Sequence, residues 1–239
     1  MHPIDKAARQ AGAIYLSLAL TGPFSLLYIP NKLIVRGNAP ATADNILAHE
    51  ILFRLGIVAD LFGSIIFICV GMALHRLLNR VNRTWALLMV GLILVSAAVG
   101  FVNVLNNIAA LTLFRGGTDF LAVFDKTQRD ALGYLFVRLH SQGNLINEIF
   151  WGLWLLPFGL LVFRSGFLPR FLGVWLILNC FTYVALSLTA LFFPPYYDTA
   201  FRLATPLLFG ELAIVLWLLI KGAKVPQVSS ATAEQLQTV

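Results

Sequence analysis

The chain has 239 residues, 59% of them hydrophobic and 12% charged, with a formal net charge of +6 and a mean hydropathy of +0.83. A soluble globular domain is about 45–50% apolar and about a quarter charged, so this composition excludes one and predicts an all-α integral membrane bundle. The basic balance does not indicate nucleic acid: lysines and arginines stand singly or in small groups at the ends of apolar runs, where they orient a membrane protein.

The start, MHPIDKAARQ, is basic and leads into an apolar run that continues to Ile29 without a small-residue cleavage site, which predicts a retained first helix over 11–29. Pro23 lies inside it as a kink, tolerable within a membrane. A polar connection follows, in which Asn38-Ala39-Pro40 reads as a turn and Thr42 or Asp44 as the cap of a short helix. The second span is 50–78. It ends at the basic link NRVNR and leads into a third span, 84–114. After the loop RGGTDFLAVFDKTQ, Asp125 reads as an N-cap with Gln128 at N3. The fourth helix starts before the membrane, runs to Phe163 and kinks near Pro157; its apolar residues Leu132, Leu135, Phe136 and Leu139 recur at helical spacing. The link RSGFLPR, read as turn chemistry, precedes a fifth span over 171–193. Residues 194–198, PPYYD, read as a rigid turn before a sixth span over 203–220, which holds Pro206 and Glu211.

The expected domain is therefore 1–222, six transmembrane helices, with a disordered cytoplasmic tail over 223–239. With both termini cytoplasmic, the inner segments carry Lys6, Arg9, Arg76, Arg80, Arg83, Arg164, Arg170, Lys221 and Lys224, beside only Asp5 and Glu234. The outer connections mix fewer bases with five aspartates, so this orientation satisfies the positive-inside rule.

Polar residues inside the spans are expensive in hydrocarbon and mark an interior or functional face. At ~1.5 Å per residue, Asp60 lies roughly 15 Å below the outer end of its helix, and Glu148 and Glu211 roughly 12 Å below theirs. Asn103 and Asn107 reach similar depth, whereas 65–74, 87–95 and 153–162 are nearly featureless. A polar pocket in the outer half follows. At about 100° per residue, His140, Asn144, Asn147, Glu148 and Trp151 share roughly one 100° stripe. Ser96, Gly100, Asn103 and Asn107 share another face, as do His49, Gly56, Asp60, Gly63 and Phe67. Arg54 sits about 120° from the Asp60 face, with Glu50 as its natural i−4 partner and a neighbouring helix's acid as the other.

The candidate ligand-binding set is Asp60, Glu148, Glu211, His140, Asn144, Asn103, Asn107 and Arg54. The same residues also admit a structural reading, with acids fixing helix register and asparagines joining helices. His2, His49, His75 and His140 are too scattered for a metal site, Cys69 and Cys180 read as soft apolar side chains, and no cofactor is expected. Phosphate-loop, zincin, nucleophile-elbow and paired CxxC signatures are missing.

Several stretches resemble one family: AARQAG, FRLGIVAD, NRVNRTWALL, LHSQGNLINEIFWGLWLLPFG, GELAIVLWLLIKG and, most distinctively, RSGFLPR followed by LG. The chain is similar, nearly throughout to Gly222, to an uncharacterised family of bacterial multi-pass membrane proteins known only as a domain of unknown function. The resemblance implies one helical domain in the bacterial cytoplasmic membrane and carries no activity or site residues.

Three functions stay open. The first is binding or transport of a small polar or amphiphilic solute in the outer-half pocket, with the acids holding cationic groups or protons. The second is an intramembrane enzyme on a lipid-linked substrate, with His140 or Glu148 as general base and Asp60 as partner. The third is a structural or regulatory protein without a ligand. The expected partners are the lipid bilayer and a small-molecule or lipid ligand, with no nucleic acid; oligomeric state is not legible.

Overall fold

In the computed structural model of the chain the described residues are 2–117 and 119–224, and the expected tail falls outside them from residue 225 onward. Six helices are long and apolar enough to cross a membrane, and among the described residues there is no strand. We label the helices α1 (Pro3–Leu33), α2 (Ala39–Ala48), α3 (Glu50–Leu78), α4 (Arg83–Arg115), α5 (Lys126–Arg164), α6 (Arg170–Phe192) and α7 (Pro194–Lys221). Each long helix packs on its neighbours in the chain, and α7 returns to α1, so the six close into a ring. Both ends of the described chain lie at one face, the terminus end; α2 lies at the other, the capped end.

Local chemistry sets the boundaries. Asn38, not Thr42 or Asp44, caps α2, its Oδ1 accepting from the Ala41 amide at 3.0 Å. Thr42 instead ties the preceding turn together, accepting from the Val35 amide at 3.0 Å and donating to the Asn38 carbonyl at 2.8 Å. The Asp125–Gln128 capping box forms in both directions, at 2.8 and 3.0 Å. Pro157 has no amide hydrogen for the carbonyl of Leu153 and its ring crowds that carbonyl, so the break in α5 falls at Trp154. Pro23 is followed by a wider π-helical turn over Phe24–Tyr28. Pro194–Tyr196 is a tight turn that runs straight into helix at Tyr197, so α7 begins well before residue 203.

Chain ends are clasped at the terminus end. Asp5 accepts from the Ala223 amide at 3.3 Å, Arg9 donates to the Leu219 carbonyl at 3.2 Å, and the Lys224 amide bonds the Phe167 carbonyl at 3.0 Å. Gly12 lets α1 and α7 touch there, since a Cβ at that position would stand 2.6 Å from the Leu219 nitrogen. Glycine plays the same part between α5 and α6, where a Cβ at Gly159 would stand 2.6 Å from the Gly173 carbonyl.

Helix α5 lies deepest, with 56% of its apolar window buried in the bundle against 17–39% in the other five. Its Trp154 and Phe158 anchor the apolar cluster of the terminus end, with Leu74, Met89, Ile93, Leu172 and Leu176 from neighbouring helices. A second cluster at the capped end, with Leu33, Ile46, Phe53, Val104 and Phe114, takes residues from α1 to α5 and none from α6 or α7.

Candidate functional site

Between the two apolar clusters lies a partly open cavity of about 230 Å³, to which every long helix contributes. Thr21 and Ser25 come from α1, Asp60 and Ser64 from α3, and Ser96 and Gly100 from α4. Helix α5 supplies most of the large polar and aromatic side chains, His140, Asn144, Asn147, Trp151 and Trp154, while Tyr183 comes from α6 and Glu211 from α7. Among the described residues that line it there is no lysine or arginine.

At the centre of the polar wall, His140 Nε2 is 3.2 Å from an Asp60 carboxylate oxygen, both side chains being mostly buried. Their helices are held at this spacing by the groups behind them. Asn103 donates from Nδ2 to the His140 carbonyl and to Asn144 Oδ1, both at 2.9 Å. This contact needs Gly143, because a Cβ there would lie 2.1 Å from Asn103 Oδ1. Asn147 forms a second α4–α5 tie, accepting from Ser96 Oγ at 2.9 Å and donating to the Ser96 carbonyl at 3.2 Å. In hydrocarbon such bonds are modest singly, at about 0.6 kcal/mol on average, but they fix rotamers and helix register.

Aromatic rings form the floor. Trp154 meets Phe67 edge-on at 5.4 Å between centroids, Tyr15 at 5.8 Å, and stacks on Phe158 at 5.4 Å. Glu211 stands above this cluster and accepts a hydrogen bond from the Tyr15 hydroxyl. An aromatic floor below two acids, with His140 as the one basic side chain among the described lining residues and that one paired with Asp60, suits a positively charged guest by charge and by ring quadrupole.

Of the sequence candidates, the structure brings Asp60, His140, Asn144 and Glu211 together in the cavity. Asn103 is one layer behind, and Asn107 is buried farther along α4 and does not line the cavity. Glu148 does not line it either: it turns toward α7, where Tyr197 donates to it at 3.0 Å. The shared stripe on α5 therefore divides, Asn147 facing α4 and Glu148 facing α7. Arg54 is half-exposed, pairs with Glu50 at 2.7 Å and lies outside the cavity lining. Glu50 is also 3.7 Å from Arg115, so this is a surface cluster of the capped end.

Sequence reasoning placed Ser96 on the polar face but missed Tyr15, Tyr183, Trp154 and the wall hydroxyls of Thr21, Ser25 and Ser64. A signal existed for the tyrosines, since a phenol in the middle of an apolar span finds a polar partner when buried. Tyr197 falls in the PPYYD stretch read as a rigid turn, because the helix start at 197 is invisible behind two prolines. Asn179 also escaped notice: it is fully buried on α6 against Gly210, and neither amide atom has a hydrogen-bond partner among the described residues.

Comparison with known proteins adds a family without an activity. The family model described as "Domain of unknown function (DUF4386)" matches residues 10–222. An uncharacterized protein of Archaeoglobus fulgidus is 31% identical over 166 residues, covering 70% of this chain and 83% of its own length. No solved structure matches.

Proposed function

The chain belongs to the DUF4386 family, and we propose that its members use the central cavity to bind a small polar or amphiphilic solute carrying a positive charge. The carrying observation is the lining itself: Asp60 and Glu211 enter one cavity whose described lining residues include no lysine or arginine and which has Trp154 as its floor. Asp60, oriented by His140, holds the cationic group; Asn144 and the wall hydroxyls hydrogen-bond its polar remainder; the aromatic floor takes its apolar face.

Access is lateral in this reading. The terminus-end cluster closes the cavity from below, and α7 has no buried residue between Tyr197 and Phe209. Gly22 of α1, at the cavity, has open space beside it. A guest with an apolar tail enters between α1 and α7 from the bilayer. The terminus end carries Lys6, Arg9, Arg80, Arg83, Arg164 and Arg170, which supports its placement on the cytoplasmic side of a cell membrane and the cavity's in the outer half.

The test is a thermal-shift screen of amines and quaternary ammonium amphiphiles on the purified protein, with Asp60→Asn as the control. A ligand at 100 times its Kd stabilises the fold by about 2.7 kcal/mol. The reading expects that shift in the parent and its loss in Asp60→Asn, with the ligand-free melting temperature kept. An equal shift in both proteins would refute it.

One observation favours a second reading. An aspartate 3.2 Å from a histidine ring nitrogen is the arrangement that holds a general base in one tautomer. On that reading His140 activates water against a lipid-linked substrate. Turnover of such a substrate that His140→Gln abolishes, with binding retained, separates it from a binding protein.

A further inference from the structure

Glu148 is buried between α5, α6 and α7 with 9% of its surface exposed. Its Oε1 accepts from the Tyr197 hydroxyl at 3.0 Å, and its Oε2 is buried with no hydrogen-bond partner among the described residues. A buried polar atom left unpaired calls for an explanation beyond packing, since an apolar residue of similar size fills the same space at lower cost.

The groups around it are proton carriers. Tyr197, half-buried at the capped-end start of α7, has Asp198 beside it at the surface. From α6, Tyr183 packs against Gly152, one turn along α5 from Glu148, where a Cβ would stand 2.9 Å from the Tyr183 Cβ. Tyr183 also lines the cavity and lies beside Glu211, whose other phenol partner is Tyr15 of α1. In order from the surface to the cavity stand Tyr197, Glu148, Tyr183 and Glu211. Tyr197 is bonded to Glu148, whereas Tyr183 makes no hydrogen bond to Glu148 among the described residues, so a transfer between these two requires the free Oε2 to turn onto the phenol. Asp60 and His140 stand on the cavity side of α5.

We propose that Glu148 is a proton-exchange site joining the capped-end surface to the cavity acid Glu211. Tyr197 passes protons between the surface and Glu148, and Tyr183 passes them between Glu148 and Glu211. In each transfer the phenol oxygen takes the incoming proton as its own O–H proton moves on. The phenol is restored, and one carboxyl gains the proton the other loses. With a cation in the cavity, the same route lets Glu211 release its proton to the surface; that last step rests on the cavity reading, whereas the proton site does not.

The test needs no ligand. Infrared difference spectra between acid and alkaline pH are recorded on the full chain in lipid nanodiscs. A carbonyl band of a protonated carboxyl is expected to titrate, and Glu148→Gln is expected to remove it. Tyr197→Phe should keep the band, shift its frequency, and slow its exchange with deuterium by about tenfold, the rate equivalent of one lost hydrogen bond. Tyr183→Phe should slow the exchange of the band that Glu211→Gln removes and leave the Glu148 band's rate unchanged. Superimposable pH-difference spectra of parent and Glu148→Gln would overturn the site, and unchanged exchange in Tyr197→Phe would overturn the route. If Glu148→Gln fails to fold, the two phenylalanine variants decide alone. Tetramethylammonium, added separately as a cation probe, reports on the cavity: no thermal shift with an intact infrared titration refutes the cavity reading and leaves the proton site standing.

Discussion

Gly143→Ala is the sharpest perturbation of the polar wall. A Cβ at residue 143 would stand 2.1 Å from Asn103 Oδ1, 2.5 Å from its Cγ and 2.8 Å from its Nδ2, so the whole amide has to leave. It takes with it the bonds to the His140 carbonyl and Asn144 Oδ1, and the one it accepts from Asn106 Nδ2 at 3.0 Å. Interhelical bonds in membranes average about 0.6 kcal/mol and reach about 1.7, so the two across to α5 together contribute about 1–3 kcal/mol. Forcing a methyl into a packed interface adds about 1–3 kcal/mol. The expected loss is about 2–6 kcal/mol, read from reversible unfolding in mixed micelles. A double-mutant cycle isolates the cause. Asn103→Ala alone should cost about 1–3 kcal/mol, for the same bonds. On that background the added methyl meets an empty site, so Gly143→Ala should then cost under about 0.5 kcal/mol. If Gly143→Ala is silent, or if the two costs simply add, the argument that Gly143 exists to seat Asn103 is wrong.

Other outcomes follow from the same contacts. Tyr15→Phe removes the hydroxyl that Glu211 accepts from and should destabilise the fold by about 1–3 kcal/mol; a melting temperature equal to the parent's would mean the bond is not formed in lipid. Gly159→Ala drives a methyl against the Gly173 carbonyl and should cost at least about 1–3 kcal/mol, whereas Gly91→Ala, with open space around it, should gain up to about 1 kcal/mol of helix propensity; equal effects at the two sites would contradict the close α5–α6 approach. Asn179→Leu replaces a buried amide without partners by an apolar side chain and should be neutral or stabilising, and a loss of more than about 1 kcal/mol would reveal a partner for that amide. Asp125→Ala breaks the capping box and should cost about 0.5–2 kcal/mol, with amide exchange rising only in the first turn of α5.

Much of the fold is legible in the sequence because the bilayer permits few alternatives. Helices α3 to α6 fall within a residue or two of the expected spans, since their ends coincide with charged residues, caps and prolines that act locally. The misplacements share a cause. Two prolines and two tyrosines at 194–197 look like a rigid turn, yet proline is well suited to a helix start, so α7 begins earlier and carries Tyr197 onto Glu148. Asn38 takes the cap expected at Thr42 or Asp44 because Pro40 fits the first turn that follows it.

Within the site, helical spacing separates a polar face from an apolar one but does not say which neighbour the face meets. Asn147 and Glu148 differ by about 100°. That suffices for one to tie α5 to α4 and the other to meet α7. Depth placed Asp60 and Glu211 at compatible heights and helical angle put His140 and Asn144 on one stripe; only packing tells that all four share one cavity while Arg54 stays with Glu50 at the surface.

The sequence by itself determined an all-α bundle of six membrane-length helices, because hydropathy, caps and charge at helix ends are local quantities. Which acids face one another was decided by the tertiary structure alone. It depends on close approaches at Gly12, Gly143, Gly152 and Gly159. A missing side chain has no periodic signal in the sequence, and its effect exists only in the neighbour that moves into the space.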